Sequence, residues 1–114
     1  MKPHITARAL PAIIAAIFMT ATHAAEVDAD AAKKLAKRND CFKCHAVDKT
    51  KKGPSYTKIA AKYKGKADAE STLIKQITTA SKVKLEDGTE EDHKIIDTKD
   101  KKEMKNLVDW ILSL

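Results

Sequence analysis

Two thiols and an imidazole stand together at Cys41-Phe42-Lys43-Cys44-His45, and these are the only cysteines in a chain of 114 residues. In an exported protein a C-x-x-C-H run is the attachment signature of c-type haem: each thiol takes a vinyl group as a thioether, and the adjacent histidine reaches the iron. The spacing follows from that chemistry, because two intervening residues let the chain make one turn. Both sulfurs then meet one edge of the macrocycle, and His45 swings beneath its face. Three plainer chemistries compete. A thioredoxin-like dithiol is expected beside a βαβ pattern, which is not found here. Zinc needs four ligands, and after the leader the chain offers only Cys41, Cys44, His45 and His93, with Cys44 and His45 adjacent and badly placed for a tetrahedron. A disulfide would close too small a loop to stabilise much.

Export is itself legible at the start of the chain. Lys2 and Arg8 precede an apolar run from Ala9 to Met19, and Thr20-Ala21-Thr22-His23-Ala24-Ala25 follows. That is a charged region, an apolar region and a small-residue cleavage site, so residues 1–24 read as a cleaved signal peptide and residues 25–114 as the mature domain, with a cut after Ala25 close behind. A membrane anchor is the alternative, but the run is well short of the roughly 20 apolar residues a span needs, and Pro11 interrupts it. No span is expected after cleavage, and the address read from these features is periplasmic.

Cleavage simplifies the ligand question. It removes His4, His23, Met1 and Met19, leaving His45, His93 and Met104 as the histidines and methionine of the mature chain. It also takes two of the 22 basic residues and none of the 16 acidic ones, so the formal charge falls from +6 to +4. That balance suits a soluble protein meeting acidic partner surfaces, and it is too mixed with Asp and Glu to argue for nucleic acid. A domain of this size buries a modest fraction of its surface. With aromatics at only 4% its apolar side chains make a thin core, which a covalently held haem would thicken.

The elements that must hold the motif read as helices. Val27, Ala31 and Leu35 recur at four-residue spacing, with acidic residues ahead of the cations as a helix dipole prefers, so a helix over 27–39 delivers the chain into Cys41. Gly53-Pro54 marks a turn. Short helices are expected over 57–64, stopped by Gly65, and over 68–80, where Ala69, Leu73 and Ile77 share a face. Asp87-Gly88 turns within the following segment, in a small hairpin through Val83 and Leu85. The last helix starts near Thr98 or Asp100 and carries Met104, Leu107, Val108, Ile111 and Leu112 at helical spacing. Asp100 and Glu103 have the spacing of a capping pair. The fold class is all-α, and Met104 reads first as core filling.

From Ala25 to Leu114 the sequence resembles the small bacterial class I cytochromes c, which carry one haem. The resemblance rests on the first helix, Cys41 to His45 followed by Ala46-Val47-Asp48, Gly53-Pro54-Ser55-Tyr56, and a last helix ending Leu107-Val108-Asp109-Trp110-Ile111-Leu112. It implies four to five helices around one covalent haem c, with the first and last packed together. It implies that the carbonyl of Pro54 accepts a hydrogen bond from the far nitrogen of His45, the proximal iron ligand. It also sets an expectation that this chain departs from. The family presents a methionine from a Pro-rich loop before the last helix, whereas here that loop reads Glu90-Glu91-Asp92-His93-Lys94-Ile95-Ile96-Asp97. His93 falls about where the methionine is expected, and the 17 residues between Ala80 and the last helix exceed the roughly 12 to 15 at which structureless loops become uncommon unless functional or disordered. His93 is therefore the expected distal ligand, with Met104, a lysine such as Lys94, or an open position as the alternatives.

Function divides accordingly. The resemblance implies a diffusible electron carrier, not an enzyme, expected to be monomeric, and a histidine pair without the thioether is expected to lower its potential. Lys43, Lys49, Lys51, Lys52 and Lys58 lie near the motif and would steer acidic redox partners. A displaceable distal ligand implies a gas-binding or sensor protein instead. A peroxidase needs a distal catalytic pair that the loop does not offer.

Overall fold

The computed structural model describes Pro3 and residues 25–114, so the leader expected over 1–24 lies outside the described residues. Helix α1 (Ala29–Arg38) begins where Asp28, in extended backbone, accepts a hydrogen bond from the Ala31 amide at 2.9 Å, and it ends at Asn39. Asp30 in its first turn and Lys37 and Arg38 in its last oppose the helix dipole at both ends. Its inward stripe is Ala32, Leu35 and Ala36. Helix α4 (Lys101–Leu112) turns Met104, Leu107, Val108, Trp110 and Ile111 inward.

These two helices pack together as expected, and Ala32, Ala36 and Val108 are each 0% exposed. Alanines one turn apart leave a shallow surface into which the larger residues of α4 fit. A polar clamp fixes the register: the Asp28 amide donates to Asn106 Oδ1 and Asn106 Nδ2 donates to the Asp28 carbonyl, both at 2.8 Å.

Between them lie a 3₁₀ turn at Cys41–Lys43, helix α2 (Tyr56–Tyr63) and helix α3 (Ala69–Thr78), both helices resting on α4. Ser55 caps α2 by accepting from the Lys58 amide at 3.1 Å. Gly65, at φ +76°, takes the left-handed turn that ends it. None of the helices among the described residues is long and apolar enough to cross a membrane.

Two findings adjust the expectations. The fold is mostly helical rather than wholly so, because β1 (Lys82–Lys84) and β2 (Glu90–Asp92) pair antiparallel. Lys82 stands opposite Asp92 and forms an ion pair at 2.8 Å, and Lys84 stands opposite Glu90, so cross-strand charge pairs supply the contact. Only Val83 is apolar in the six strand residues, so alternation leaves almost no mark in the sequence. The start of α4 is also arranged differently: Asp100 accepts from the Lys102 amide, while Glu103 accepts from the hydroxyl of Thr98 and not from Asp100.

Candidate functional site

The turn that begins at Cys41 is closed by the amides of Cys44 and His45, which donate to the Cys41 carbonyl at 3.2 and 2.9 Å. Asp40, just before it, has φ 58°, a left-handed conformation that Asp tolerates better than most residues. Its carboxylate lies within 3.2 Å of Lys43 and 3.3 Å of Lys94. This geometry sets the side chain of His45 against the loop that follows. Nδ1 of His45 lies 2.6 Å from the carbonyl of Pro54, and since a carbonyl only accepts, Nδ1 carries the proton and Nε2 bears the lone pair. Burial lowers the pKa of His45 and the Pro54 bond opposes it, which leaves the neutral form that a metal ligand must have.

Tyr56 backs this imidazole. Its ring stacks on His45 at 5.3 Å between centres, and it meets Trp110 edge-on at 5.5 Å and Phe42 at 6.0 Å. The aromatic group joins the motif to α4 and fixes the ring without a second polar partner. Burial raises the Tyr56 phenol and the Cys41 thiol, so both stay protonated at neutral pH. Cys41 and Cys44 are both unpaired and half-buried. Neither Tyr56 nor Gly53 was singled out for this role by sequence reasoning. The clue for Gly53 was its place beside Pro54, although its backbone needs no positive φ.

His93 enters from the end of β2. Its amide donates to the Ser81 carbonyl at 2.8 Å, continuing the hairpin, and its Nδ1 lies 3.0 Å from the Lys94 carbonyl. By the same reasoning Nδ1 is the donor and Nε2 keeps no partner among the described residues. Two further ties hold the loop down: the Ile96 amide donates to the Ile77 carbonyl at 2.9 Å, with Ile96 buried, and the Asp97 amide donates to Asn39 Oδ1 at 2.9 Å. The structure thus brings His45 and His93 together, with ring centres 6.3 Å apart and planes at 48°. The other distal candidates stand elsewhere. Met104 is buried in α4 with the core and does not line the cavity described next, and the Lys94 ammonium is turned toward Asp40 at its edge.

Cys41, Cys44, His45, Pro54 and His93 all line one cavity of about 910 Å³. Its apolar walls come from every helix but α1 and from the hairpin, through Tyr56, Ile59, Leu73, Ile77, Val83, Leu107, Val108 and Ile111. A large planar apolar group with one metal fits this donor set: sulfurs at one edge, an imidazole lone pair, and, among the described residues, no buried polar side-chain atom left unsatisfied. Metal–imidazole bonds of about 2 Å, added to the half-width of each ring, put the centres of two rings sharing one metal about 6 Å apart. Of the lysines near the motif, Lys43 and Lys58 border the cavity. Lys49, Lys51 and Lys52 lie on the loop ahead of Pro54, with the Lys51 ammonium donating to the Phe42 carbonyl.

Comparison with known proteins identifies the family. The chain matches the family described as Cytochrome c over residues 29–114. A solved structure, the class 1 cytochrome MtoD from Sideroxydans lithotrophicus ES-1, is 61% identical, covers 77% of this chain and 97% of its own, and superposes with a TM-score of 0.74. Cytochrome c-552 of Hydrogenobacter thermophilus is 32% identical over 82 residues, 72% of this chain and 80% of that one. Cytochrome c-551 of Pseudomonas aeruginosa is 43% identical over 47 residues, 41% of this chain, and there the match spans only 45% of the relative's length.

Proposed function

The chain belongs to the cytochrome c family, with that family's mostly helical class I fold and one covalently attached haem c, and from that premise we propose that it is a soluble, periplasmic electron carrier with histidines on both sides of the iron. The observation that carries the reading is the pair of imidazoles, His45 and His93, 6.3 Å apart on one cavity with Nδ1 of each engaged and Nε2 of each without a hydrogen-bond partner among the described residues. Residues 1–24 act as the signal that exports the chain.

When bound, the haem iron supplies a one-electron ferric/ferrous couple. The chain's own residues do the rest. Cys41 and Cys44 hold the group covalently, and His45 is the proximal ligand. Its bond to the Pro54 carbonyl keeps the ring from rotating and raises its basicity. His93 would be the distal ligand, its ring plane standing at 48° to that of His45. The apolar walls exclude water, so little solvent reorganises when the charge changes. Two imidazoles lack the thioether that raises the potential of His/Met cytochromes, so the potential is lowered. Lys43 and Lys58, at the cavity border, steer acidic redox partners toward it.

The test is ligand competition in the purified, haem-loaded protein. The carrier reading expects a low-spin ferrous spectrum that carbon monoxide leaves unchanged, and a His93→Ala variant that loses the low-spin spectrum and binds the gas. Prompt binding of carbon monoxide by the parent removes the carrier in favour of a gas-binding protein. A low-spin His93→Ala variant removes the distal assignment.

A further inference from the structure

Resting on the reading of His93 above, we infer that Asn39 and Asp97 are positioning residues for the distal ligand, clasping its loop to the end of the helix that delivers the chain into Cys41. Asn39 is only 2% exposed, and its whole amide is engaged. Nδ2 donates to the Leu35 carbonyl and to Asp97 Oδ1, each at 3.0 Å, while Oδ1 accepts from the Asp97 amide at 2.9 Å. A buried amide that loses a partner is costly, so Asn39 admits Asp97 in one place and one orientation. Arg38 closes the other side of the Asp97 carboxylate, with Nε at 3.1 Å and Nη2 at 3.3 Å.

The placement gives the clasp its consequence. Asn39 and Asp40 immediately precede the covalent anchor Cys41, and they hold Asp97 and Lys94, which follow His93 in the loop. The distal segment is therefore referenced directly to the proximal one, across the edge of the cavity. The Lys94–Asp40 pair is exposed and adds little. The clasp shares this work with the amides of His93 and Ile96, which are held, and with the Ile96 side chain buried in the core, whereas all three residues of β2 are exposed. Lifting His93 off the metal requires the loop to open, and the clasp sets how often it does. An external ligand takes the sixth position in proportion to that open fraction.

The experiment is cyanide binding to the ferric, haem-loaded protein, together with hydrogen exchange of the Asp97 amide. Asp97 is half-exposed, so Asp97→Ala keeps the fold while deleting the acceptor for Asn39 and Arg38. It is expected to bind cyanide roughly three- to tenfold faster than the parent, with a matching loss of amide protection. Asp97→Asn, whose Oδ1 still accepts from Asn39 but which gives up the charged bonds to Arg38, falls between the parent and Asp97→Ala. Lys105→Ala, which breaks exposed ion pairs with Glu70 and Asp109 on the far face of α4, stays near the parent rate. Equal acceleration in Lys105→Ala, or no acceleration in Asp97→Ala while His93→Ala abolishes the low-spin spectrum, removes the clasp alone. A His93→Ala variant with the parent's spectrum removes the reading of the distal ligand and this inference with it.

Discussion

Gly53 lies so close to His45 that a β-carbon built on it would stand 3.1 Å from Cε1 and 3.4 Å from Nδ1 of the imidazole. The close approach of the His45 ring, and not the glycine's own backbone, is what favours glycine here. Its amide donates to the Cys44 carbonyl at 2.9 Å, and the next residue supplies the carbonyl that holds Nδ1. Ring, glycine and Pro54 form one unit. Gly53→Ala is expected to push the imidazole aside and lengthen its bond to Pro54, at a cost of about 1 to 2 kcal/mol in holoprotein stability. Denaturant unfolding of parent and variant measures it, and equal midpoints and slopes contradict the crowding.

The contact between the terminal helices predicts a second effect. Leu107 is 1% exposed, belongs to the core that α1 and α4 share and also forms part of the cavity wall. Leu107→Ala removes that wall and leaves a void, for an expected loss of about 2 to 5 kcal/mol. Asn106→Ala, which deletes the two bonds to the Asp28 backbone at the exposed end of the same interface, is expected to cost nearer 1 kcal/mol. Chemical unfolding of both variants checks the order.

Acid should loosen the loop that carries His93. The Arg38 hydrogen bond first, and then that of Asn39, hold the Asp97 carboxyl below its ordinary range. A lowered carboxyl pKa contributes stability that is complete above the unfolded value of about 4 and is lost as pH falls through the folded value. The groups facing it are Arg38, which also reaches Glu103 at 3.8 Å, and the uncharged Asn39. Asp97→Asn is expected to show a shallower loss of stability below about pH 4 than the parent. Acid titration followed by circular dichroism tests this, and identical acid limbs contradict it.

Much of this architecture is readable in the sequence because its causes are local. The C-x-x-C-H run names its own chemistry, and the helix dipole pattern of Asp28, Asp30, Lys37 and Arg38 appears in the order of residues. The apolar stripe of α4 is equally plain. Other features depend on residues far apart. Asn39 and Asp97 carry no signal, because either is an ordinary polar residue until the chain brings them together. The turn at Asp87-Gly88 is what points to the hairpin, because five of its six strand residues are charged and only Val83 is apolar. Met104 stood open as a ligand until its helix was placed, with its side chain among the core residues. The stacking of Tyr56 on His45 likewise depends on where α2 begins.

Surface charge predicts the kinetics of partner encounter. Lys43 and Lys58 border the cavity, and both are exposed. Reversing both to glutamate is expected to slow electron transfer with an acidic partner by about tenfold or more at low ionic strength, with the difference shrinking as salt is added. Stopped-flow rates across a salt series decide it. A difference that does not depend on salt contradicts steering.

The shared metal between His45 and His93 is the claim on which the potential, the loop clasp and the carrier role all depend. Near-infrared magnetic circular dichroism of the ferric holoprotein reads the two axial ligands directly. The account predicts a low-spin spectrum with the charge-transfer band of paired imidazoles. A methionine band, or a high-spin iron with a single histidine, would contradict it.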